Sequence, residues 1–342
     1  MNQPIDFRSD TITRPTKAML EAMFSAEVGD DVFNEDPTVQ KLEKKAAAIF
    51  GKEAGLFCPS GTMTNQIAIK LHTQPGDEVI CDKLSHIYHY EGGGIAFNSA
   101  ASVRLLDGVN GVFTRDQFIA SINPDDIHHP ISRLLVLENT CNKGGGTVWP
   151  DEMMKDVCNA ASEAGIKRHL DGARVFNALT YTGSKPEQLG ENFDTISICL
   201  SKGLGAPVGS VLIGSSNDMK RAKRIRKLFG GAMRQSGYLA AAGIYALDNH
   251  VERLNHDHQN AQLLAQTLKE TSWACDIIEP QTNILIFSLK DRSKGKDFLS
   301  ILKNHGILAV SFGPYTFRLV THLDISDQQI EQACKILKNI VI

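Results

Sequence analysis

Thr195-Ile196-Ser197-Ile198-Cys199-Leu200-Ser201-Lys202-Gly203-Leu204-Gly205-Ala206-Pro207 decides how this chain is read. β-Branched and apolar residues fill the first half, which predicts a buried strand over 195–200. That strand delivers one lysine into a turn of small residues. A lysine leaving a buried strand is partly desolvated, which favours the neutral amine that Schiff-base chemistry uses. The bland alternative is a solvated surface lysine, the usual fate of that residue. Glycines beside Lys202 leave room for a bulky cofactor. Gly203 and Gly205 are followed by Gly209, a G-x-G-x-x-x-G spacing that misses the dinucleotide fingerprint and disfavours a nicotinamide dehydrogenase.

Two upstream segments sharpen the reading. His169-Leu170-Asp171-Gly172-Ala173-Arg174 puts a carboxylate at the end of another short strand, 31 residues before the lysine. One βα unit has about that length, so neighbouring parallel strands would present Asp171 and Lys202 to one crevice. A carboxylate beside a heterocyclic nitrogen keeps it protonated, which pyridoxal phosphate needs as an electron sink. Alone, Asp171 reads first as a turn cap with Gly172. Phe57-Cys58-Pro59-Ser60-Gly61-Thr62-Met63-Thr64-Asn65 is a strand followed by a small, hydroxylated turn that opens a helix. Unpaired N–H groups there suit a phosphate, with Gly61 and Thr62 as the cradle. An ordinary N-cap by Ser60 is the competing reading.

Around these segments, apolar runs alternate with helical patterns, the mark of an α/β fold with a mainly parallel sheet. Strands are expected over 54–58, 78–82, 133–138, 167–170, 195–200 and 208–214, and a helix over 38–50. A smaller α+β domain is expected over 250–342, with strands at 283–289, 307–312 and 317–322 and helices at 296–304 and 326–340. Residues 1–249 then form the large, cofactor-binding domain with an N-terminal active-site segment.

Composition narrows the classes. The 342 residues carry 36 Lys plus Arg against 39 Asp plus Glu, a net charge of −3 that argues against nucleic acid and for a small-molecule partner. The basic run Lys220-Arg221-Ala222-Lys223-Arg224-Ile225-Arg226-Lys227 reads as a solvated or subunit-facing helix surface. Met1-Asn2-Gln3-Pro4-Ile5-Asp6-Phe7-Arg8 has no signal-peptide pattern, and no apolar stretch approaches the roughly 20 residues of a membrane span. Seven widely spaced cysteines without a C-x-x-C pair predict reduced thiols in a cytoplasm, not disulfides or zinc. His256 and His258 are two apart on a predicted helix and diverge, so no metal site is expected.

Taken together, Asp6-Phe7-Arg8-Ser9-Asp10-Thr11, Val28-Gly29-Asp30-Asp31-Val32, Pro59-Ser60-Gly61-Thr62, Leu137-Glu138-Asn139-Thr140, His169 to Arg174, Ser201 to Gly205, Gly231-Ala232-Met233-Arg234-Gln235-Ser236-Gly237 and Arg318-Leu319-Val320-Thr321-His322 resemble the low-specificity L-threonine aldolases over nearly the whole chain. The resemblance implies the aspartate-aminotransferase-like fold (fold type I) of pyridoxal 5'-phosphate enzymes and a homotetramer built as a dimer of dimers. It implies reversible retro-aldol cleavage of L-threonine and L-allo-threonine to glycine and acetaldehyde. The alternative within the same fold is an aminotransferase or a β-eliminating lyase, and outside it a catalytically silent binding or scaffold relative.

By the same resemblance, Lys202 carries the cofactor, Asp171 pairs with its ring nitrogen, and His86 stacks on the ring near the substrate hydroxyl. Ser9, Arg174 and Arg318 match the holders of the substrate carboxylate, a task suited to planar guanidinium groups. His128 matches a second histidine near the substrate side chain. Arg234 matches a residue that reaches the cofactor phosphate from a neighbouring subunit, and Lys227 is a weaker intersubunit candidate. The base for the β-hydroxyl proton is left open among His86, His128 and a water. Cys141 and Phe33 depart from the family's histidine and tyrosine, and Gly144-Gly145-Gly146 predicts a flexible loop.

Overall fold

Seven strands form the central sheet of the computed structural model, which describes residues 4–341. Met1, Asn2 and Gln3 of the N-terminal stretch, and Ile342, lie outside the described residues. After a short strand β1 (Ile5–Asp6), the sheet comprises β2 (Ala54–Cys58), β3 (Glu78–Asp82), β4 (Ser102–Leu106), β5 (Ser132–Glu138), β6 (Lys167–Gly172), β7 (Thr195–Cys199) and β8 (Ser210–Gly214). Their spatial order is β2-β8-β7-β6-β5-β3-β4, and only β8 runs antiparallel to its neighbours.

The apolar runs are explained by burial on both faces. Leu135 and Leu137 pack with Phe113 and Trp149 on one face, whereas Leu134 and Val136 join Val79 and Ile95 on the other. Helix Pro37–Ile49 shows the local logic of the covering layer. Asp36 caps it by accepting from Thr38 N and Val39 N, Pro37 fits its first turn, and Val39, Leu42 and Ala46 face the core.

Strand β8 is antiparallel because no crossover helix separates it from β7. The chain reverses through residues 200–209, closed by Leu200 N donating to Gly209 O at 3.0 Å, and Lys202 sits in that reversal. Gly209 ends it at φ +114°, and a β-carbon there would lie 2.4 Å from Phe57 Cε2. The expected strand over 208–214 therefore starts only at Ser210.

The C-terminal region contains β9 (Ala274–Ile278), β10 (Ile284–Leu289), β11 (Ile307–Leu308), β12 (Val310–Ser311) and β13 (Thr316–Val320). Four of these form an antiparallel sheet, β12-β13-β10-β9, covered by helices Leu254–Lys269, Gly295–Asn304 and Asp327–Asn339. The single strand expected over 307–312 is broken in two. Its first half pairs in parallel with β1, Ile5 opposite Ile307, and its second half pairs with β13. Ile5 and Phe7 thereby join the C-terminal hydrophobic core. Phe7 O also accepts from Val320 N at 2.9 Å, so the N-terminal segment starts at the small sheet before it enters the cleft.

Candidate active site

The carboxyl ends of β6 and β7 and the N-terminus of helix Gly61–His72 converge on a cleft of about 240 Å³. Asp171 and Lys202 both line it, as do Gly61, Thr62 and His86. Ser60 caps the helix through Met63 N, while the N–H groups of Gly61 and Thr62 have no protein acceptor among the described residues. The cap and the cradle are thus compatible readings of one turn.

Lys202 Nζ makes no ion pair among the described residues, but its backbone is held firmly. The Lys202 carbonyl accepts from Thr13 Oγ1 at 2.9 Å and from Gly205 N at 2.8 Å. Asp171 is almost wholly buried and is held by Asn65 Nδ2 at 2.9 Å and by Ala173 N at 3.2 Å. Asn65 Oδ1 in turn accepts from His169 Nε2 at 3.1 Å, and His169 Nδ1 accepts from the Thr195 hydroxyl at 2.9 Å. Burial pushes His169 down to about 3, so the ring is neutral and fixes the Asn65 amide.

His86 opens the short helix His86–His89, its backbone N–H donating to Glu138 Oε2 at 2.7 Å. Its Nδ1 lies 3.0 Å from Glu91 Oε1, and its ring is 5.5 Å from that of Tyr90. Burial pulls the imidazole down, yet the Glu91 hydrogen bond and the charge of Asp171 outweigh it and leave His86 above its ordinary value. Glu138, paired across β5 and β6 with Asp171, is pushed up to about 7 by burial and by that neighbouring carboxylate. His86, Glu91 and Asp171 present donor atoms within 4.8 Å of one another. Asn65 Nδ2 donates to both carboxylates, so a proton-bearing amide already bridges them.

Arg174, at the start of helix Val175–Thr182, and Arg318, on β13, do not themselves line this cleft, although Arg174 directly follows Ala173, which does. Arg174 donates to Asp10 from Nε at 2.7 Å and from Nη2 at 2.6 Å. Burial opposes the Asp10 charge, but Arg174 holds the carboxyl well below the usual carboxylate range. Arg318 donates to Asn142 Oδ1 at 2.6 Å and to Arg8 O at 3.0 Å, and packs over Phe312. Burial, then the nearby Arg174 charge, brings Arg318 down to about 10. Ser9 is half-buried and caps the turn Asp10–Ile12, so Thr11 reaches the cleft wall in its place.

Three expected residues lie on other parts of the surface. His128 is 80% exposed, bonds to Asp126, and precedes β5 at the end opposite Glu138. The length of a strand separates it from its own cleft, so any substrate contact would have to be made in another subunit. Arg234 is turned outward, paired with Asp30 at 2.7 Å and lying over Phe33. Lys227 lies on a separate basic depression with Lys220, Lys223 and Arg224.

The departures also find their places. Cys141 is buried against Gly111 and does not face the cleft, and Phe33 is exposed beside Arg234. Gly144-Gly145-Gly146, expected to be flexible, is buried and tightly packed: a β-carbon at Gly144 would meet Asn110 O at 2.1 Å, and one at Gly146 would meet Thr282 Oγ1 at 2.6 Å. His256 bonds to Asp327 and His258 to Asn177, in different directions. Residues that sequence reasoning left without a role are Asp10, Asn65, Glu91, Glu138, Asn142 and Asn283. Asp10, Asn65 and Glu138 lay inside quoted motifs, whereas Asn283 stood only at the start of an expected strand.

Residues 6–292 match the beta-eliminating lyase family. The chain is 44% identical over 329 residues to the low specificity L-threonine aldolase of Escherichia coli strain K12, covering 96% of each chain. It is 39% identical over 335 residues to the probable low-specificity L-threonine aldolase 2 of Arabidopsis thaliana, covering 96% of this chain and 94% of that one. Among solved structures, the threonine aldolase of Leishmania major superposes with a TM-score of 0.86 over 99% of this chain and 100% of that chain, at 21% identity, a likeness of fold.

Proposed function

The chain belongs to the beta-eliminating lyase family, among the low-specificity L-threonine aldolases, and from that premise we propose that it is a pyridoxal 5'-phosphate-dependent aldehyde-lyase. It cleaves L-threonine and L-allo-threonine reversibly to glycine and acetaldehyde. The observation that carries the reading is the convergence of Lys202 and Asp171, from adjacent parallel strands, on a cleft faced by a helix N-terminus.

The residues present fit the cofactor. An amine free of ion pairs, a buried carboxylate and two unpaired N–H groups are its three anchoring needs, and all line one cleft. When bound, pyridoxal phosphate supplies the electron sink for the carbanion left by Cα–Cβ cleavage. Lys202 would hold it through the amine, Gly61 and Thr62 would donate to its phosphate, and Asp171, locked by Asn65, would keep its ring nitrogen protonated. Arg174 and Arg318, with the Ser9 turn, hold the substrate carboxylate and so fix which bond at Cα is aligned for cleavage. His86 would stack on the ring and, directly or through a water, would take the β-hydroxyl proton, its Nδ1 side being occupied by Glu91.

The division into residues 1–249 and 250–342 belongs to this proposal and is supported by two hydrophobic clusters that fall on either side of it except for Ile5, Phe7 and Leu254, which pack across. A homotetramer, as a dimer of dimers, is supported by the outward Arg234 and by exposed Phe24, Phe33 and Leu228. In that assembly Arg234 and Lys227 serve a neighbour's phosphate, and His128 a neighbour's substrate. A cytoplasmic location is supported by seven free cysteines, five of them buried. No helix among the described residues is long and apolar enough to cross a membrane.

Reconstitution tests the reading. With pyridoxal phosphate, the purified protein is expected to acquire a visible absorption band and to release acetaldehyde from both epimers, and Lys202→Ala to lose both. A colourless wild type, or keto-acid formation in place of acetaldehyde, would overturn it. Light scattering on the holoenzyme checks the four-subunit mass.

A further inference from the structure

Two buried arginines, Arg174 next to the cleft residue Ala173 and Arg318 on β13, lie close to one another, and a carboxylate determines how they stand. Arg174 gives a whole edge, Nε and Nη2, to Asp10, and the two side chains are 5% and 0% exposed. Asn283 Nδ2 adds a third donor to Asp10 Oδ2 at 3.2 Å. Arg174 Nη1 has no protein acceptor among the described residues, and Arg318 Nε is buried with no partner. An unpaired buried donor is costly, so an arrangement that keeps one implies an acceptor still to arrive.

Charge points the same way. Arg174 and Arg318 lie near enough to repel, and Asp10 attracts both. Two positive charges and one negative leave a single positive charge, the complement of one α-carboxylate. A carboxylate that instead took the Nε and Nη2 edge of Arg174 would find it already filled.

Resting on the reading of these arginines as the carboxylate holders, we propose that Asp10 is a positioning residue for the substrate. By clamping one edge of Arg174, it leaves Arg174 Nη1 and Arg318 Nε as the donors for a single monoanionic carboxylate. Asp10 touches the arginine and not the substrate, and it sets the seat from which the Cα–Cβ bond is aligned.

The test titrates the holoenzyme, followed by visible absorbance, with glycine and with methylamine, which is glycine without its carboxylate. Asp10→Asn is expected to raise the glycine Kd at least tenfold, leave the methylamine Kd within twofold, and preserve the cofactor band. An unchanged glycine Kd, or equal weakening of both amines, overturns the proposal in favour of a purely structural ion pair. Should Asp10→Asn fail to fold or to hold the cofactor, Asn283→Ala decides by the same comparison. It keeps the Arg174 pair and removes the third donor, and a glycine-selective rise of threefold or more is expected, equal effects on both amines again overturning the idea. A wild type that shows no absorbance change with glycine would count against the aldolase reading itself, not against the role of Asp10.

Discussion

Replacing Gly209 by alanine asks whether the reversal that carries Lys202 is as tightly determined as its packing indicates. Two costs add. The residue sits at φ +114°, where a β-carbon costs about 1–2 kcal/mol. That β-carbon would also stand 2.4 Å from the fully buried Phe57 ring, and overpacking of this kind costs roughly 1–3 kcal/mol. The sum is about 2–5 kcal/mol, and with an unfolding entropy near 2 cal/mol/K per residue it corresponds to a Tm loss of roughly 3–7 °C for a chain of this length. Relief by moving the backbone displaces the lysine hairpin, and a displacement near 1 Å costs on the order of a hundredfold in kcat. Gly76→Ala is the control, because Gly76 has φ +92° with nothing within 4 Å of the new atom. It is expected to lower Tm by the backbone cost alone and to leave kcat unchanged. Thermal unfolding and acetaldehyde release are measured for both variants. Equal Tm losses and an unimpaired kcat in Gly209→Ala would refute the claim that Phe57 braces the turn.

Glu91→Gln removes the charge and weakens the hydrogen bond that hold His86 above its ordinary value, leaving Asp171, Lys202 and the Glu138 carboxylate at its backbone as the facing charges. The His86 pKa then falls, so the acid limb of kcat/KM moves to lower pH while the plateau drops roughly tenfold to a hundredfold. An acid limb that stays in place would show that His86 does not titrate in the rate. Glu43 gives a stability counterpart: burial pushes it up from 4.5 to about 7, against the hydrogen bond from Phe57 N. An acid whose pKa is higher when folded keeps more protons in the native state, so stability falls as pH rises from about 4.5 to about 7 and then levels off. The displacement corresponds to about 3 kcal/mol, and Glu43→Gln is expected to flatten that slope in urea melts across the interval. A variant with the wild-type slope would contradict it.

What the sequence revealed follows from range. Strands β3, β5 and β7 are buried almost throughout, so apolar runs announced them, and a lysine following such a run stood out. Strand β4 escaped notice because it is a mostly exposed edge, Ser102-Val103-Arg104-Leu105-Leu106. The break after Leu308 could not be read locally, since the competitor for its first half is a strand from the other end of the chain. Asp10 meets Arg174 across 164 positions and Asn283 across 273, distances over which no periodicity speaks. Gly144-Gly145-Gly146 shows the converse error: glycine permits freedom, but only the neighbours decide whether freedom or close approach is its purpose.

The pairing of Ile5 with Ile307 also bears on how the molecule comes into being. During translation at roughly 5–20 residues per second, the leading strand waits on the order of 15–60 s for its mate to leave the ribosome. Until then the Thr13 latch on the Lys202 loop is anchored at one side only. Competence to hold a coenzyme would consequently arrive late and abruptly in synthesis, with the closing of the last sheet.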